Sequence, residues 1–313
     1  MKYLLHSLLF AGLTFAAGTS QAVQQCLVIG DSLTKEYEVE FPVLYPENRG
    51  AWDARNWIET LHEWRHDWFD LGHFQVWPDV RIVGHKHNWA FPGATTQEIR
   101  TRLASTSFLD RQWQSQLKSQ IKNEVERVVI IAGGNDADSY YDKIYNGSSP
   151  TPYINRTRDN LIWIVDWVRA QRSTIPIILV SVPHVGCAPD VQRQYPTNGI
   201  KTTRVSNALA SLNSQLATIA RSRGVAFVPG VFDFTRAIIT QKFYIGSVEI
   251  NRGASAECDP RYAFSGDGFH PNTPVQAKIA QLIVAAIRAR WPLPSIPALT
   301  DQEILTKVLG ITR

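Results

Sequence analysis

Five short apolar runs limit what this chain can fold into. They are Cys26-Leu27-Val28-Ile29, Val80-Arg81-Ile82-Val83-Gly84, Val128-Val129-Ile130-Ile131-Ala132, Ile177-Ile178-Leu179-Val180-Ser181-Val182 and Ala226-Phe227-Val228. Most are near-continuous and β-branched, the pattern of strands covered on both faces. Between them lie stretches whose apolar residues recur at helical spacing: 53–69, 94–104, 108–125, 153–171, 205–223 and 274–290, the last with Pro274 in its first turn. Strands alternating with helices give a parallel sheet with helices on both faces, an α/β fold. Neither an internal repeat nor a low-complexity tract interrupts the pattern, so residues 23–313 read as one domain. It closes on a small helix opened by the capping-box pattern Thr300-Asp301-Gln302-Glu303.

In such sheets ligands bind beyond the carboxyl ends of the strands. Three turns are placed there: Gly30-Asp31-Ser32, Gly133-Gly134-Asn135-Asp136 and Pro183-His184. They should share one rim. A serine on a tight turn leaving a strand is where a nucleophile would sit, although Gly, Asp and Ser are also ordinary turn residues. To act, Ser32 needs a base, and the base needs an orienting partner. His270 lies in Ser265-Gly266-Asp267-Gly268-Phe269-His270-Pro271-Asn272, a loop of turn formers with Asp267 three residues earlier. One turn folds that carboxylate against the imidazole; a surface histidine beside an Asp-Gly turn is the plain alternative. Asn135 and the N–H groups of Ser32 and Gly93 are the candidate oxyanion donors. Among the other histidines, His85 and His87 share a strand face but no third ligand offers itself, and no metal is expected. His184 follows a strand and is placed near the site.

Gly30-Asp31-Ser32-Leu33, Gly93, Gly133-Gly134-Asn135-Asp136 and Asp267-Gly268-Phe269-His270 resemble, in chain order, the four sequence blocks of the GDSL-type, or SGNH, hydrolases. The family's Ser, Gly, Asn and His fall on Ser32, Gly93, Asn135 and His270, and its Asp on Asp267. Phe91 stands where family members often have Asn. The resemblance implies a flavodoxin-like three-layer fold with a five-stranded parallel sheet, and hydrolysis of carboxylic esters without a cofactor. No serine lies in a Gly-x-Ser-x-Gly pattern, which argues against an α/β-hydrolase. Gly93 stands 61 positions after Ser32, more than compact members of the family need. This insertion, about residues 36–90, holds Trp52, Trp57, Trp64, Trp68, Trp77 and Trp89. It is expected to wall the substrate pocket, with Trp52, Trp89 and His184 as candidate lining. The simpler reading of Trp57, Leu61, Trp64 and Trp68 is one helix face packed on the sheet. Its first part, 36–53, reads as a long loop of the kind that forms lids.

The net charge of +4 and the absence of a dense Lys/Arg block argue against nucleic acid as a partner. Lys2, an apolar stretch from Leu4 to Ala17 and Ser20-Gln21-Ala22 form a signal-peptide pattern over residues 1–22, implying a periplasmic or secreted mature chain. No later stretch is long and apolar enough for a membrane anchor. Export permits disulfides: Cys187 and Cys258 both fall in loops and are the expected pair, while Cys26 opens the first strand as a buried thiol. Two unpaired thiols are the alternative. The substrate expected is a small-molecule, glycan or lipid ester. Acyl transfer to a sugar hydroxyl would use the same residues, and a non-catalytic carbohydrate-binding module would use the tryptophans as stacking platforms.

Overall fold

The computed structural model describes residues 22–50, 52–291 and 296–312. The leader expected over residues 1–22 lies, apart from Ala22, outside them. In chain order the strands are β1 (Cys26–Gly30), β2 (Phe74–Val76), β3 (Val83–His85), β4 (Asn88–Ala90), β5 (Arg127–Ile131), β6 (Ile177–Val180), β7 (Ala226–Val228), β8 (Phe243–Ile245), β9 (Val248–Ser255) and β10 (Tyr262–Ser265). The helices are α1 (Tyr37–Leu44), α2 (Trp57–Trp64), α3 (Thr96–Ala104), α4 (Phe108–Asn123), α5 (Gly134–Tyr145), α6 (Thr151–Gln171), α7 (Pro189–Gln194), α8 (Gly199–Ser222), α9 (Gly230–Ala237), α10 (Thr273–Arg290) and α11 (Asp301–Glu303). None of the described helices is long and apolar enough to cross a membrane.

The central sheet has the order β4-β1-β5-β6-β7 with every pairing parallel. Counting only these five strands, the order is the 2-1-3-4-5 of flavodoxin-like folds. The continuous apolar runs are explained by burial: Leu27, Val28, Val129, Ile130, Ile178 and Leu179 have almost no exposed surface. The chain moves one way from β1 to β4 and the other way in every later crossover. Right-handed connections then put the helices of the first crossover on the face opposite those of the later ones. Accordingly α2 packs with α10, whereas α6 packs with both α3 and α8. Gly30 pairs with Ala90 on one side and Ile131 on the other, and Ile130 pairs with Leu179. The carboxyl ends of four strands are therefore level, and the turns leaving them share one rim.

Local chemistry sets where the site helices begin. Asn56 and Thr95 close reciprocal capping boxes with Glu59 and Glu98, starting α2 and α3. Such boxes satisfy the free N–H groups of the first turn. Asn272 caps α10, with Pro274 inside its first turn.

The second central strand is not Val80–Gly84. That stretch leads into β3, which pairs antiparallel with β2 in a separate hairpin, and the sheet strand is β4. Arg81 is buried, its guanidinium 4.3 Å from the Trp77 ring and 3.8 Å from the Trp89 ring, and this holds the segment off the sheet. The Glu36–Asp53 loop contains α1, with Pro42 inside it and Tyr37, Glu40 and Phe41 facing inward. The three-turn helix α5 also starts directly after Gly133, and β8, β9 and β10 form a small sheet whose last strand leads into the His270 loop.

The Cys187–Cys258 bridge is not formed: Cys26, Cys187 and Cys258 are free, buried thiols. Cys187 belongs to the main core, whereas Cys258 packs with Tyr37, Phe41 and Ala54 in a separate small cluster. Burial holds the thiol of Cys187 in its protonated form, pushed up to about 12.

Candidate active site

The turn after β1 is wound around Asp31. Its carbonyl accepts N–H bonds from Thr34 at 3.0 Å and Lys35 at 3.2 Å, and its Oδ1 accepts from Leu33 at 3.1 Å. These bonds pin Ser32 at the head of the turn, on the wall of a cavity of about 40 Å³. Leu33, Asn135, His184, Val185, Phe269 and Pro271 contribute to the same wall. Phe269 and Pro271 flank His270, so the His270 loop and the Ser32 turn border one space.

The loop from β10 to α10 folds back on itself. Ser265 N–H donates to His270 O at 2.9 Å, and Gly268 N–H donates to Ser265 O at 2.9 Å. This return brings Asp267 Oδ2 to 2.8 Å from His270 Nδ1. Asp267 Oδ1 accepts the N–H groups of Phe269 and His270, and Oδ2 also accepts Nδ2 of Asn48. Burial opposes the charged carboxylate, but the bonds from His270 and Asn48 outweigh it and hold Asp267 below the usual range. An ionised Asp267 requires a proton on Nδ1, which places the lone pair of His270 on Nε2. That Nε2 is buried and has no partner among the described residues. The ring is held at 4.3 Å by Tyr45 and edge-on at 5.5 Å by Phe41.

The oxyanion candidates come from two blocks tied to each other. Asn135 Nδ2 donates to Ala94 O at 3.0 Å, which fixes the orientation of the amide and leaves its second hydrogen free. Beside it, Asp136 accepts from Thr96 N–H at 2.8 Å and Thr96 Oγ1 at 2.7 Å. The loop holding Gly93 is thereby clamped to the start of α5. Gly93 has φ +73°, a backbone state that disfavours side chains, and a Cβ there would point into open space. Among the described residues the N–H groups of Ser32 and Gly93 have no acceptor. The sequence reading did not single out the Asp136–Thr96 clamp or Asn48; both are ordinary polar residues whose partners lie far away in the chain.

The family model described as the GDSL-like lipase/acylhydrolase family matches residues 28–278, a span that contains all four blocks. The chain belongs to that family. Solved structures similar to this GDSL-like chain include a lipase from a goat rumen metagenome, at 13% identity and TM-score 0.49, covering 84% of this chain and 97% of the other. An acetylxylan esterase from Geobacillus stearothermophilus, as a catalytic mutant, is similar at 16% identity and TM-score 0.44, covering 86% and 95%. A lipase/acylhydrolase from Enterococcus faecalis is similar at 17% identity and TM-score 0.42, covering 86% and 97%. No curated protein matches.

Of the three residues expected to line the pocket, Trp52, Trp89 and His184, only His184 reaches the cavity of this GDSL-like chain. It is no second base: Nδ1 accepts Gly186 N–H, Nε2 meets Ser206 Oγ at 3.0 Å, and burial pushes its pKa down to about 4. It is a neutral wall. The tryptophans are not in the pocket wall. Trp89 is fully buried, its Nε1 bonded to Gln120 at 2.7 Å, and Trp52 is 65% exposed. Trp57 is also fully buried, with Nε1 on Thr34 Oγ1. The helix-face reading holds for Trp57 and Leu61, buried on α2, but not for the whole stripe: α2 ends at Trp64, which is half-buried, and Trp68 lies in a separate turn after Arg65. His85 pairs with the buried Glu36, while His87 turns to Glu124, so the two do not act together. His62, His66 and Asp70 lie close enough to share an ion, but His62 Nδ1 is already 3.2 Å from both Phe69 O and Leu71 N.

Proposed function

We propose that this protein is an exported serine esterase that cleaves carboxylic esters through an acyl-enzyme. The observation that carries the reading is the Asp267–His270 pair, bonded at 2.8 Å with Nε2 unpartnered among the described residues, on the loop that borders the Ser32 cavity. Ser32 Oγ attacks the ester carbonyl as His270 Nε2 takes its proton. Asp267 keeps the imidazole in the right tautomer and stabilises the imidazolium. Negative charge on the former carbonyl oxygen is met by the N–H groups of Ser32 and Gly93 and by Asn135 Nδ2. His270 then protonates the leaving alcohol. Water, deprotonated by the same nitrogen, attacks the acyl-Ser32 and restores the free serine.

The cavity beside Ser32 is small, about 40 Å³, and its wall is made largely of Leu33, Val185, Phe269 and Pro271. Short-chain esters are the substrates this favours. Export rests on the leader pattern in residues 1–22.

Ser32→Ala tests the proposal. The variant should fold with an unchanged Tm and lose nearly all turnover of 4-nitrophenyl acetate, and a fluorophosphonate should label Ser32 of the wild-type protein alone. Wild-type turnover by folded Ser32→Ala refutes the reading.

A further inference from the structure

The segment after α1 crosses directly over the His270 loop. Gly50 N–H donates to Ala256 O at 3.2 Å, and Arg49 pairs with Glu257. Gly266 lies so close to this crossing that a Cβ on it would collide with the carbonyl oxygen of Glu47. The crossing sets Asn48 against Asp267, 219 positions away in the chain. Asn48 is 2% exposed and uses both ends of its amide there. Its Oδ1 accepts Asp267 N–H at 2.9 Å, and its Nδ2 donates to Asp267 Oδ2 at 2.8 Å. The oxygen it reaches is the one that faces His270 Nδ1.

The two carboxylate oxygens are held differently. Oδ1 is fixed from within the loop, by the N–H groups of Phe269 and His270. Oδ2 has no backbone donor among the described residues. Its partners are Asn48 and the imidazole itself. Without Asn48, the angle at which Oδ2 meets Nδ1 would be set by the imidazole alone, the group it is meant to orient.

We infer that Asn48 is a positioning residue, which acts through Asp267 to hold His270 and thereby makes the insertion between Ser32 and Gly93 part of the catalytic apparatus. The inference rests on the serine-esterase reading above. Tyr45, from the same segment, packs on the opposite partner of the pair, the His270 ring. The insertion so acts on both members of the Asp–His pair, while its tryptophans serve the core.

The test compares Asn48→Ala, Asn48→Asp and a control on the same segment, Arg49→Ala, using 4-nitrophenyl acetate turnover and the rate at which a fluorophosphonate labels Ser32. Asn48→Ala should lower kcat and the labelling rate by about 100-fold with little change in KM, since misplacing a catalytic group by ~1 Å costs that much. Asn48→Asp keeps the shape and the acceptor for Asp267 N–H. It has no N–H for Oδ2, and two carboxyls this close share one proton, which draws negative charge away from the His270 contact. It should be at least as impaired as Asn48→Ala while folding normally. In both, the downfield proton NMR signal of His270 Nδ1–H should move or vanish. Arg49→Ala should match wild type, because its ion pair is exposed. Wild-type kcat and labelling in either Asn48 variant, or activity lost in Asn48→Ala and restored in Asn48→Asp, overturns the inference and leaves Asn48 a mere tether. Failure of the wild-type protein to react with the fluorophosphonate would instead overturn the esterase reading itself.

Discussion

Asn135→Ala separates a donor from a tether. In the folded protein one hydrogen of Asn135 Nδ2 is engaged with Ala94 O at 3.0 Å, so the amide cannot flip without losing that bond. The second hydrogen is the one that would reach the oxyanion. Removing one such donor costs about 2.7–4 kcal/mol of transition-state stabilisation, or about 10²–10³ in kcat. The lost bond to Ala94 costs the fold about 1 kcal/mol, because it is one neutral hydrogen bond on a half-buried side chain. The catalytic loss should therefore exceed the stability loss severalfold, with Tm falling by only about 2–4 °C. Steady-state hydrolysis of 4-nitrophenyl acetate should show the loss in kcat with KM almost constant. A trifluoromethyl ketone, which forms a tetrahedral adduct, should bind more weakly by the same factor as kcat/KM falls. If kcat/KM stays within about threefold of wild type in a folded Asn135→Ala protein, Asn135 only ties the Gly93 loop to α5 and the oxyanion assignment is wrong.

Two further tests address the buried charge around the site and the insertion. Asp31 is fully buried with Oδ2 unpartnered among the described residues, and burial raises its pKa from the ordinary 3.8 to about 7. Between these values the folded state holds a proton the unfolded state has lost, so stability falls as pH rises from about 4 to 7, by a total on the order of 4 kcal/mol. Asp31→Asn should flatten that fall and be the more stable protein at pH 8; parallel Tm–pH curves for the two proteins would refute the assignment. Trp89→Ala should destabilise by about 3–5 kcal/mol in denaturant melts, whereas Trp52→Ala should leave both stability and ester preference unchanged. A changed acyl-chain preference in Trp52→Ala would return that ring to the substrate pocket.

The central sheet was legible because its inner strands are buried on both faces, and that condition writes itself into sequence as an apolar run. The edge strand β4 escaped for the converse reason. Asn88-Trp89-Ala90 is three residues long, and Asn88 spends its side chain on Thr34 O and Ala90 N–H, so polarity there records local bonding rather than exposure. The blocks of the candidate site were readable because each is a short run of turn-forming residues that follows a strand. What could not be read was how those blocks are held.

The inward side of α1 and its N-cap mixes the buried rings of Tyr37 and Phe41 with the carboxyls of Glu36 and Glu40. Glu36 is fully buried, and although burial opposes its charge, His85 and Lys35 hold its pKa down to about 2. Glu40 is buried with both oxygens unpartnered among the described residues, and burial together with the charge of Asp31 raises its pKa well above the ordinary value. Val43, meanwhile, is 77% exposed. Helical periodicity of apolar residues cannot find a helix built this way, and Pro42 further hides it. Burying an unpaired carboxyl costs free energy, and a helix that served only to cover the core would reach the same area with apolar residues. The segment is held down by Tyr37 and Phe41, both fully buried, and by residues just past its C-terminus: Asn48 on Asp267, Gly50 on Ala256 and Tyr45 on His270. Its fit to the Asp–His pair, through Phe41 and Tyr45 on the imidazole and Asn48 on the carboxylate, is what accounts for where it lies.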